Sequence, residues 1–139
     1  MAKKEIAKGH YLYPMLAVLV GAVVEGKPNY LVAAFCGVVD YEPPKIAVAL
    51  GRAHYTNIGI KENGSFSVCV PGTGLVEKVD YCGLQTGHKK DKSRVFTSFF
   101  GKLETAPMAD ECPVCLECKL HKSVALDVDE LFIGEITAS

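Results

Sequence analysis

The stretch Asn29–Gly64 reads NYLVAAFCGVVDYEPPKIAVALGRAHYTNIGIKENG, and it decides the fold that the chain is expected to adopt. Its first part is rich in apolar and β-branched residues, which predicts a strand, and Pro43-Pro44 forbids a helix and marks a corner. Lys45–Leu50 alternates with the period of a second strand. The stretch ends in a short predicted helix, with Thr56 as its N-cap and Asn63-Gly64 at its end.

The loop before that helix carries the first chemical signal. Arg52, His54 and Thr56 put a guanidinium, an imidazole and a hydroxyl just ahead of a helix N-terminus. Such a terminus has unpaired N–H groups and a partial positive charge, so it suits a phosphate. The sequence therefore predicts an anion site between two β-strands, and it leaves the owner of the phosphate open.

Further strands are predicted on both sides of this stretch. Met15–Val24 is apolar on both faces and is predicted as a buried strand that forms a hairpin with Asn29–Val39. Ser65–Val70 alternates between two faces, and Pro113–Leu120 and Leu131–Thr137 are two more predicted strands.

Helices are expected to be few and brief. Thr73 is predicted to cap a helix that ends before Gly83, and Val95–Phe100 is predicted as one or two helical turns. Because strands outnumber helices, the sequence predicts a mainly β fold, a Greek-key barrel of about six antiparallel strands with short connecting helices. Residues 1–139 are expected to form one domain.

Composition limits the class of protein. A hydrophobic content of 49% with 22% charged residues excludes a disordered chain, and a net charge of −1 gives no basic excess for binding nucleic acid. The longest apolar run is about ten residues, far below the roughly 20 that span a bilayer, so no membrane partner is expected. Six cysteines without an export signal predict reduced thiols in the cytoplasm.

Three of the cysteines, Cys112, Cys115 and Cys118, have a C-x2-C-x2-C spacing that is similar to part of an iron–sulfur ligand set. Such a set needs a fourth cysteine shortly afterwards, where this chain has His121-Lys122. Residues three apart in a strand also point to opposite faces, so Cys118 is predicted to point inward and Cys115 outward. Inert thiols are therefore expected, and no metal site.

A second basic segment, His88–Arg94, lies in a polar loop. On charge alone it is interpreted as a solvated loop, although it could also close over the predicted anion. The chain has no G-x-G-x-x-G, no Walker loop and no G-x-S-x-G, so neither a Rossmann nucleotide site nor a serine hydrolase is indicated.

Eight short motifs, spread over nearly the whole chain, follow one another in a recognisable order. They are Asn29–Phe35, Glu42–Val48, Thr56–Ile58 with Glu62–Pro71, Val79–Gly83, Gly87 with Asp91–Ser93, Ala106–Met108 with Glu111–Val114, Leu116–Cys118 and Leu131–Ile136. Each motif alone is weak. Together and in this order they resemble the flavin reductase-like family with the FMN-binding split barrel, and most closely its flavoredoxin branch.

The resemblance implies non-covalently bound FMN near the interface of a homodimer. By motif, Asn29, Phe35, Thr56 and Lys92 fall where the family contacts the flavin. Four neighbours in the same two loops are further candidates: Ala33, Ala34, Cys36 and Arg52. Thr56 would hold the phosphate, Lys92 would add positive charge near the phosphate or the reduced flavin, and Phe35 would pack on the ring system. The resemblance assigns no catalytic residue.

The chain departs from the family pattern at several positions. Phe35 stands where the flavoredoxin branch often has Trp, and Ala33-Ala34 replaces hydroxyl-bearing residues, so the phosphate is expected to depend more on backbone donors and Arg52. Asp129 stands where many members have a His near the flavin. The chain also ends soon after Ile136, where relatives continue, so the domain is expected either to be a short member or to lack a C-terminal segment.

Three functions are compatible with these residues. In the first, the protein is an enzyme whose bound FMN takes electrons from NAD(P)H and passes them to free flavin, a ferric complex or a protein. Alternatively, it is an electron carrier that a protein partner supplies, or a split-barrel binding module whose flavin site has lapsed, as the loss of hydroxyls at Ala33-Ala34 suggests. The sequence has no dedicated nicotinamide motif that separates the first two.

Overall fold

A computed structural model describes residues 1–139, and its architecture is mainly β. Seven strands form one antiparallel sheet, and two short strands form a separate pair. The strands are β1 (Val18–Val24), β2 (Lys27–Ala33), β3 (Cys36–Asp40), β4 (Lys45–Gly51), β5 (Ser65–Val70), β6 (Ser98–Phe99), β7 (Met108–Ala109), β8 (Val114–Ala125) and β9 (Asp129–Ala138). The helices are α1 (Thr56–Asn63) and α2 (Val76–Leu84), and a 3₁₀ turn at Thr73–Leu75 precedes α2. Neither helix is long and apolar enough to cross a membrane.

The order of strands across the sheet explains why it closes. That order is β2-β1-β5-β8-β9-β4-β3, so β2 and β3 lie at opposite edges although only Ala34 and Phe35 separate them in the chain. The sheet must therefore curl until its edges meet. At this corner the N–H of Ala49 on β4 donates to the carbonyl of Phe35 at 2.9 Å, which continues the pairing of β3 with β4 by one residue. The two edges form no continuous ladder, and the predicted split barrel is confirmed.

Two layers of core lie on the two faces of this sheet. Val20, Phe66 and Phe132 belong to the layer inside the barrel, which Ile60 of α1 closes. A second layer on the outer face contains Leu19, Tyr30, Cys69 and Phe96 and is covered by α2 and the segment 94–112. β5 was predicted with alternating faces, and its residues do alternate, but both faces are buried because each meets one of these layers.

Four strand predictions need correction in their limits, and the first is Met15–Val24, because β1 begins only at Val18. The predicted strand Asn29–Val39 is broken at Ala34-Phe35 into β2 and β3, because that corner carries the chain across the barrel seam. The hairpin of β1 with β2 is confirmed, with Gly21 opposite Tyr30. β8 and β9 both run longer than predicted and pair with each other along most of their length.

Both predicted helices are present, but of their predicted ends only the C-terminal end of α1 is confirmed. α1 ends as predicted, with Gly64 in the left-handed conformation at φ 65°. Thr56 is not its N-cap, because Tyr55 occupies that position without a side-chain bond. Thr73 makes no capping bond to a helix either, and α2 continues past Gly83 to Leu84.

The segment Val95–Phe100 was wrongly predicted as helical. It contains β6, which pairs with β7 about ten residues later. The pairing places Phe96 in the outer core layer and Ser98 within 2.6 Å of the Tyr30 hydroxyl, measured from Oγ to Oη. Burial of Tyr30 raises the pKa of its hydroxyl.

The side chains of Cys115 and Cys118 lie on opposite faces of their strand, as predicted. Cys118 lies inside the barrel, whereas Cys115 is on the other face of β8, opposite Cys69. All six cysteines are unpaired thiols. Burial raises the pKa of Cys112 to about 11 and that of Cys118 to about 12, which keeps both protonated near neutral pH.

Two helical glycines provide a matched test of how closely α1 packs on β1. A Cβ at Gly59 would lie 2.1 Å from the Val23 carbonyl oxygen, whereas a Cβ at Gly83 in α2 would be in ordinary contact with Val32 at 3.7 Å. We expect Gly59→Ala to lower the free energy of unfolding by about 1–3 kcal/mol, because overpacking outweighs the gain of about 1 kcal/mol in helix propensity. Gly83→Ala should keep or slightly raise stability. Urea unfolding of both variants is the measurement, and equal stability of Gly59→Ala and wild type would contradict this packing.

Candidate functional site

A cleft opens where β2, the start of α1 and the end of α2 converge. This inner cleft has a volume of about 450 Å³, and its walls include Asn29 on β2, Thr56 on α1 and Cys82 on α2. The polypeptide 85–87 and the side chain of Lys92 complete it. Three of the predicted site residues, Asn29, Thr56 and Lys92, are therefore brought together from three separate parts of the chain.

The Asn29 and Thr56 side chains are joined by a buried hydrogen bond. Asn29 Nδ2 donates to Thr56 Oγ1 at 2.7 Å, and both side chains are almost fully buried. This bond explains why Thr56 does not cap α1: its hydroxyl oxygen is directed at β2 rather than at the helix backbone. The arrangement fixes the first turn of α1 against β2.

The first turn of α1 presents donors that have no partner in the main chain. The N–H groups of Asn57 and Ile58 donate to the carbonyls of His54 and Tyr55. The N–H groups of Tyr55 and Thr56 donate to no main-chain oxygen. Free donors of this kind at a helix start favour an anion.

Lys92 is the unusual charge of the site. Its side chain is only 3% exposed, and Nζ donates to the carbonyls of Cys82 at 3.3 Å and Gln85 at 3.0 Å. These carbonyls belong to the C-terminal end of α2, which carries partial negative charge. No carboxylate lies within ion-pair distance of Nζ. Burial lowers the pKa of Lys92.

An ammonium buried without a counter-charge is costly, and a lysine has three N–H donors, of which two are used here. The third donor and the unbalanced charge of Lys92 are both available to a ligand. The chemistry of this donor set therefore fits a phosphate better than a neutral group.

Gly87 allows the loop after α2 to approach the other walls. A Cβ at this position would lie 2.3 Å from the Tyr55 ring and 2.6 Å from Asn29 Oδ1. Any other residue would push the loop away from α1 and widen the cleft.

Two further clefts adjoin the inner one. The outer cleft, of about 660 Å³, is polar, and it is lined by Glu25, Lys27 and the polypeptide 87–92. The seam cleft, of about 480 Å³, lies at the barrel seam and is mostly apolar. Its walls include Ala33, Ala34, Phe35, Ala49, His54 and Asp129. The inner and seam clefts share Leu31, Val32 and His54.

The predicted site residues therefore do not all lie in the same cleft. Ala33, Ala34 and Phe35 line the seam cleft, where Phe35 is 44% exposed and the ring of His10 packs edge-on against it at 5.3 Å between centroids. Cys36 is half-buried beside the barrel core, where burial raises its pKa to about 11. Cys36 and Arg52 line none of the three clefts.

Arg52 is exposed, and its backbone N–H donates to Val128. The backbone N–H of Arg52, and not its guanidinium, therefore helps to hold this loop in place.

Sequence reasoning did not rank His54, Tyr55 and Gly87 among the site residues. His54 lines both the inner and the seam cleft, and its ring would lie 3.1 Å from a Cβ at Gly51, so the turn between them is tight. The available signal was the position of His54 in the predicted anion loop. Asp129, noted as a departure from the family pattern, lines the seam cleft as well.

Comparison with known proteins agrees with this architecture. The model of the flavin reductase like domain matches residues 10–139. A flavoredoxin from Methanosarcina acetivorans is 43% identical, with a TM-score of 0.96 over 99% of this chain and 74% of that structure. The flavoredoxin of Desulfovibrio vulgaris (Miyazaki F) is 33% identical, with a TM-score of 0.89 over 99% of this chain and 75% of its own.

Curated relatives are more distant. The FMN reductase (NADH) RutF of Pseudomonas syringae pv. syringae is 26% identical over 112 residues, which are 80% of this chain and 61% of RutF. The chain spans between 49% and 74% of the length of four curated relatives that it matches.

Proposed function

The chain belongs to the flavin reductase-like family of flavin-binding oxidoreductases, and from that premise we propose that it binds FMN non-covalently and passes electrons through it. The observation that carries the proposal is Lys92, a buried ammonium with an unused donor and no carboxylate partner at the wall of a cleft. The phosphate of FMN supplies the missing negative charge, so the residues present fit this cofactor.

Each wall of the cleft has a distinct part in holding FMN. Lys92 and the free N–H groups of Tyr55 and Thr56 would bind the phosphate, while Asn29 holds the Thr56 hydroxyl in place. The apolar seam cleft with Phe35 would receive the ring system, since it adjoins the inner cleft and excludes water from one side of the ring. When bound, FMN supplies the redox chemistry: it takes up a hydride or single electrons and passes them on.

We propose NADH or NADPH as the electron donor, which makes the protein a flavin reductase. The FMN reductase RutF, 26% identical, supports this assignment. A second function, an electron carrier that receives electrons from a protein partner, is favoured by the two flavoredoxins at 43% and 33% identity. We place either activity in the cytoplasm, where six unpaired thiols would stay reduced, and cell fractionation tests that location.

Reconstitution separates these functions. We expect the purified protein to bind FMN stoichiometrically, with flavin absorbance retained through gel filtration, and the bound flavin to bleach when NADH or NADPH is added without oxygen. A flavin that retains its colour with both nucleotides but bleaches with dithionite supports the carrier. A protein that takes up no FMN rules out both functions and leaves the lapsed binding module.

Replacing Lys92 tests the phosphate site. We expect Lys92→Met to weaken FMN binding about ten- to a hundredfold, since a hydrogen bond to a charged group contributes about 1.5–3 kcal/mol, and to leave riboflavin, which lacks the phosphate, unaffected. Flavin fluorescence quenching measures both affinities. Lys61→Met is the control, because Lys61 already pairs with Glu130 outside the clefts.

The lowered pKa of Lys92 adds a pH signature to the same titration. Ligand-free protein loses the Lys92 proton as pH rises through that lowered pKa, whereas bound phosphate stabilises the proton. FMN affinity of the wild type should therefore fall at alkaline pH, and the fall should be absent in Lys92→Met. Identical pH profiles for the two proteins would remove Lys92 from the site.

We also propose that the protein is a homodimer with FMN near the subunit interface. β3 is an edge strand that exposes apolar side chains on both faces, with Val38 74% and Val39 54% exposed. Edge strands of this kind are normally covered. β3 begins directly after Phe35, so a second copy that covers β3 would also lie beside the seam cleft.

The dimer is tested by placing a charge on β3. We expect Val38→Lys to convert a dimer into a monomer in sedimentation velocity experiments, because the lysine charge would be buried in the interface. Val76→Lys, at an exposed apolar position on α2, should remain dimeric. A wild-type protein that binds FMN and sediments as a monomer contradicts the proposal.

A further inference from the structure

Two cysteines lie directly opposite each other on neighbouring strands of the sheet. Cys69 on β5 is the register partner of Cys115 on β8. Cys69 belongs to the outer core layer and Cys115 packs against that layer, so both side chains are on the outer face. Register partners of an antiparallel pair have Cα atoms about 4.5–5.5 Å apart, and disulfides join Cα atoms about 4.4–6.8 Å apart. The ladder therefore holds the two thiols within reach of a disulfide.

Both thiols also lie beside the same residue of β7. The Cys115 thiol donates to the Ala109 carbonyl at 3.3 Å. Burial raises the pKa of Cys69, a hydrogen bond from the main chain of Ala109 lowers it, and the neighbouring Cys115 thiol raises it further. Since Ala109 and Cys115 both act on Cys69, the two thiols are neighbours in space as well as in register.

Cys115 is the member of the pair that a small oxidant reaches first. Its side chain is half-buried, whereas Cys69 is 0% exposed. Cys115 lines a groove on the outside of the barrel, whose walls also include Phe99, Asp110, Cys112 and Pro113. An oxidant that enters this groove meets Cys115, with Cys69 behind it.

Cys112 lies in the wall of the same groove but is placed differently. It precedes the first residue of β8, so no strand pairing holds it opposite another thiol. The Cys115 thiol lies 3.9 Å from the main-chain carbonyl oxygen of Cys112. Strand pairing therefore favours Cys69 over Cys112 as the partner of Cys115.

We propose that Cys69 and Cys115 form a reversible redox site, in which hydrogen peroxide converts the two thiols into a disulfide that links β5 to β8. Peroxide first oxidises the Cys115 sulfur to a sulfenic acid: the O–O bond breaks, an S–O bond forms and one water leaves. The Cys69 sulfur then attacks the Cys115 sulfur, the S–O bond breaks, and the hydroxyl leaves with the Cys69 proton as a second water. The two thiols lose two electrons, which one peroxide takes up.

The surroundings of the pair set the pace of this chemistry. The raised pKa of Cys69 leaves little thiolate near neutral pH, so its attack on the sulfenic acid is expected to be the slow step. The pair is an exception to the inert thiols that the sequence predicts. It goes beyond the proposed function, because the reaction requires no bound flavin.

Counting thiols tests the site. We expect wild-type protein, treated with a small excess of peroxide at about pH 8, to lose two of its six thiols and to regain both with dithiothreitol. The thiols are counted with a chromogenic disulfide after denaturation. Peptide mapping without reduction should show Cys69 linked to Cys115. Cys115→Ser should form no disulfide, whereas the control Cys36→Ser, beside the barrel core, should lose two thiols as wild type does.

Trapping the sulfenic acid tests the order of the two steps. We expect Cys69→Ala to accumulate a sulfenic acid on Cys115, because the attacking thiol is absent, and dimedone should label Cys115 in this variant far more than in wild type. Circular dichroism checks that Cys69→Ala is folded. If it is not, wild type and Cys115→Ser still decide the matter, because Cys115 is only half-buried and serine keeps a donor for the Ala109 carbonyl.

Three results overturn the redox site. They are an unchanged thiol count in wild type, a mapped link between Cys112 and Cys115, and a disulfide between two chains on a non-reducing gel. Every readout is a thiol count or a peptide mass. A failure here therefore leaves the proposed function intact, and a protein that binds no flavin leaves the redox site intact.

Discussion

The two-residue corner Ala34-Phe35 constrains the rest of the structure. It carries the chain from one edge of the seven-stranded sheet to the other, so the sheet must close, and the Phe35 carbonyl at the corner accepts the Ala49 N–H as a continuation of the β3–β4 pair. Closure brings the end of β2 beside the end of β4. The loop after β4 leads into α1, and for that reason the first turn of α1 lies beside Asn29 on β2.

Electrostatic balance at the end of α2 determines the character of the site. The carbonyls of Cys82 and Gln85 stabilise the Lys92 ammonium, but they are dipoles and leave its charge uncompensated. α2 therefore has two roles. Cys82 packs in the outer core layer, and the same residue's carbonyl positions a cation in the cleft. The protein can in this way hold a buried charge in a stable fold and still present it to an anionic ligand.

The sequence alone was sufficient to predict those secondary-structure elements that depend on local periodicity. The alternation in β5 and the Asn63-Gly64 pair at the end of α1 gave the right elements, because both signals depend only on near neighbours. Prediction failed where a distant partner decides the outcome. Thr56 looks like an N-cap, but its hydroxyl is bound by Asn29, and the apolar segment with Phe96 looks helical until Met108 pairs with it.

The same distinction applies to the candidate site. On charge alone, Lys92 belongs to a solvated basic loop, and only the ordered motifs of the flavin reductase-like family singled it out. Its burial depends on where α2 ends, which local sequence signals placed wrongly. Arg52 is the opposite case: its guanidinium belongs to the predicted anion loop, but it lines none of the three clefts.

β5 has a consequence for how this family can diverge. Five of its six residues are buried, and Phe66, Val68 and Cys69 belong to the two core layers, so the strand has almost no solvent-facing position that can vary freely. A substitution there must be matched by a change in one layer or the other. Evolutionary drift is therefore expected to be slow in β5, whereas the exposed residues of β3 belong to neither layer and are constrained only by the partner that covers them. New partners can be acquired at the edge of the barrel while its centre remains fixed.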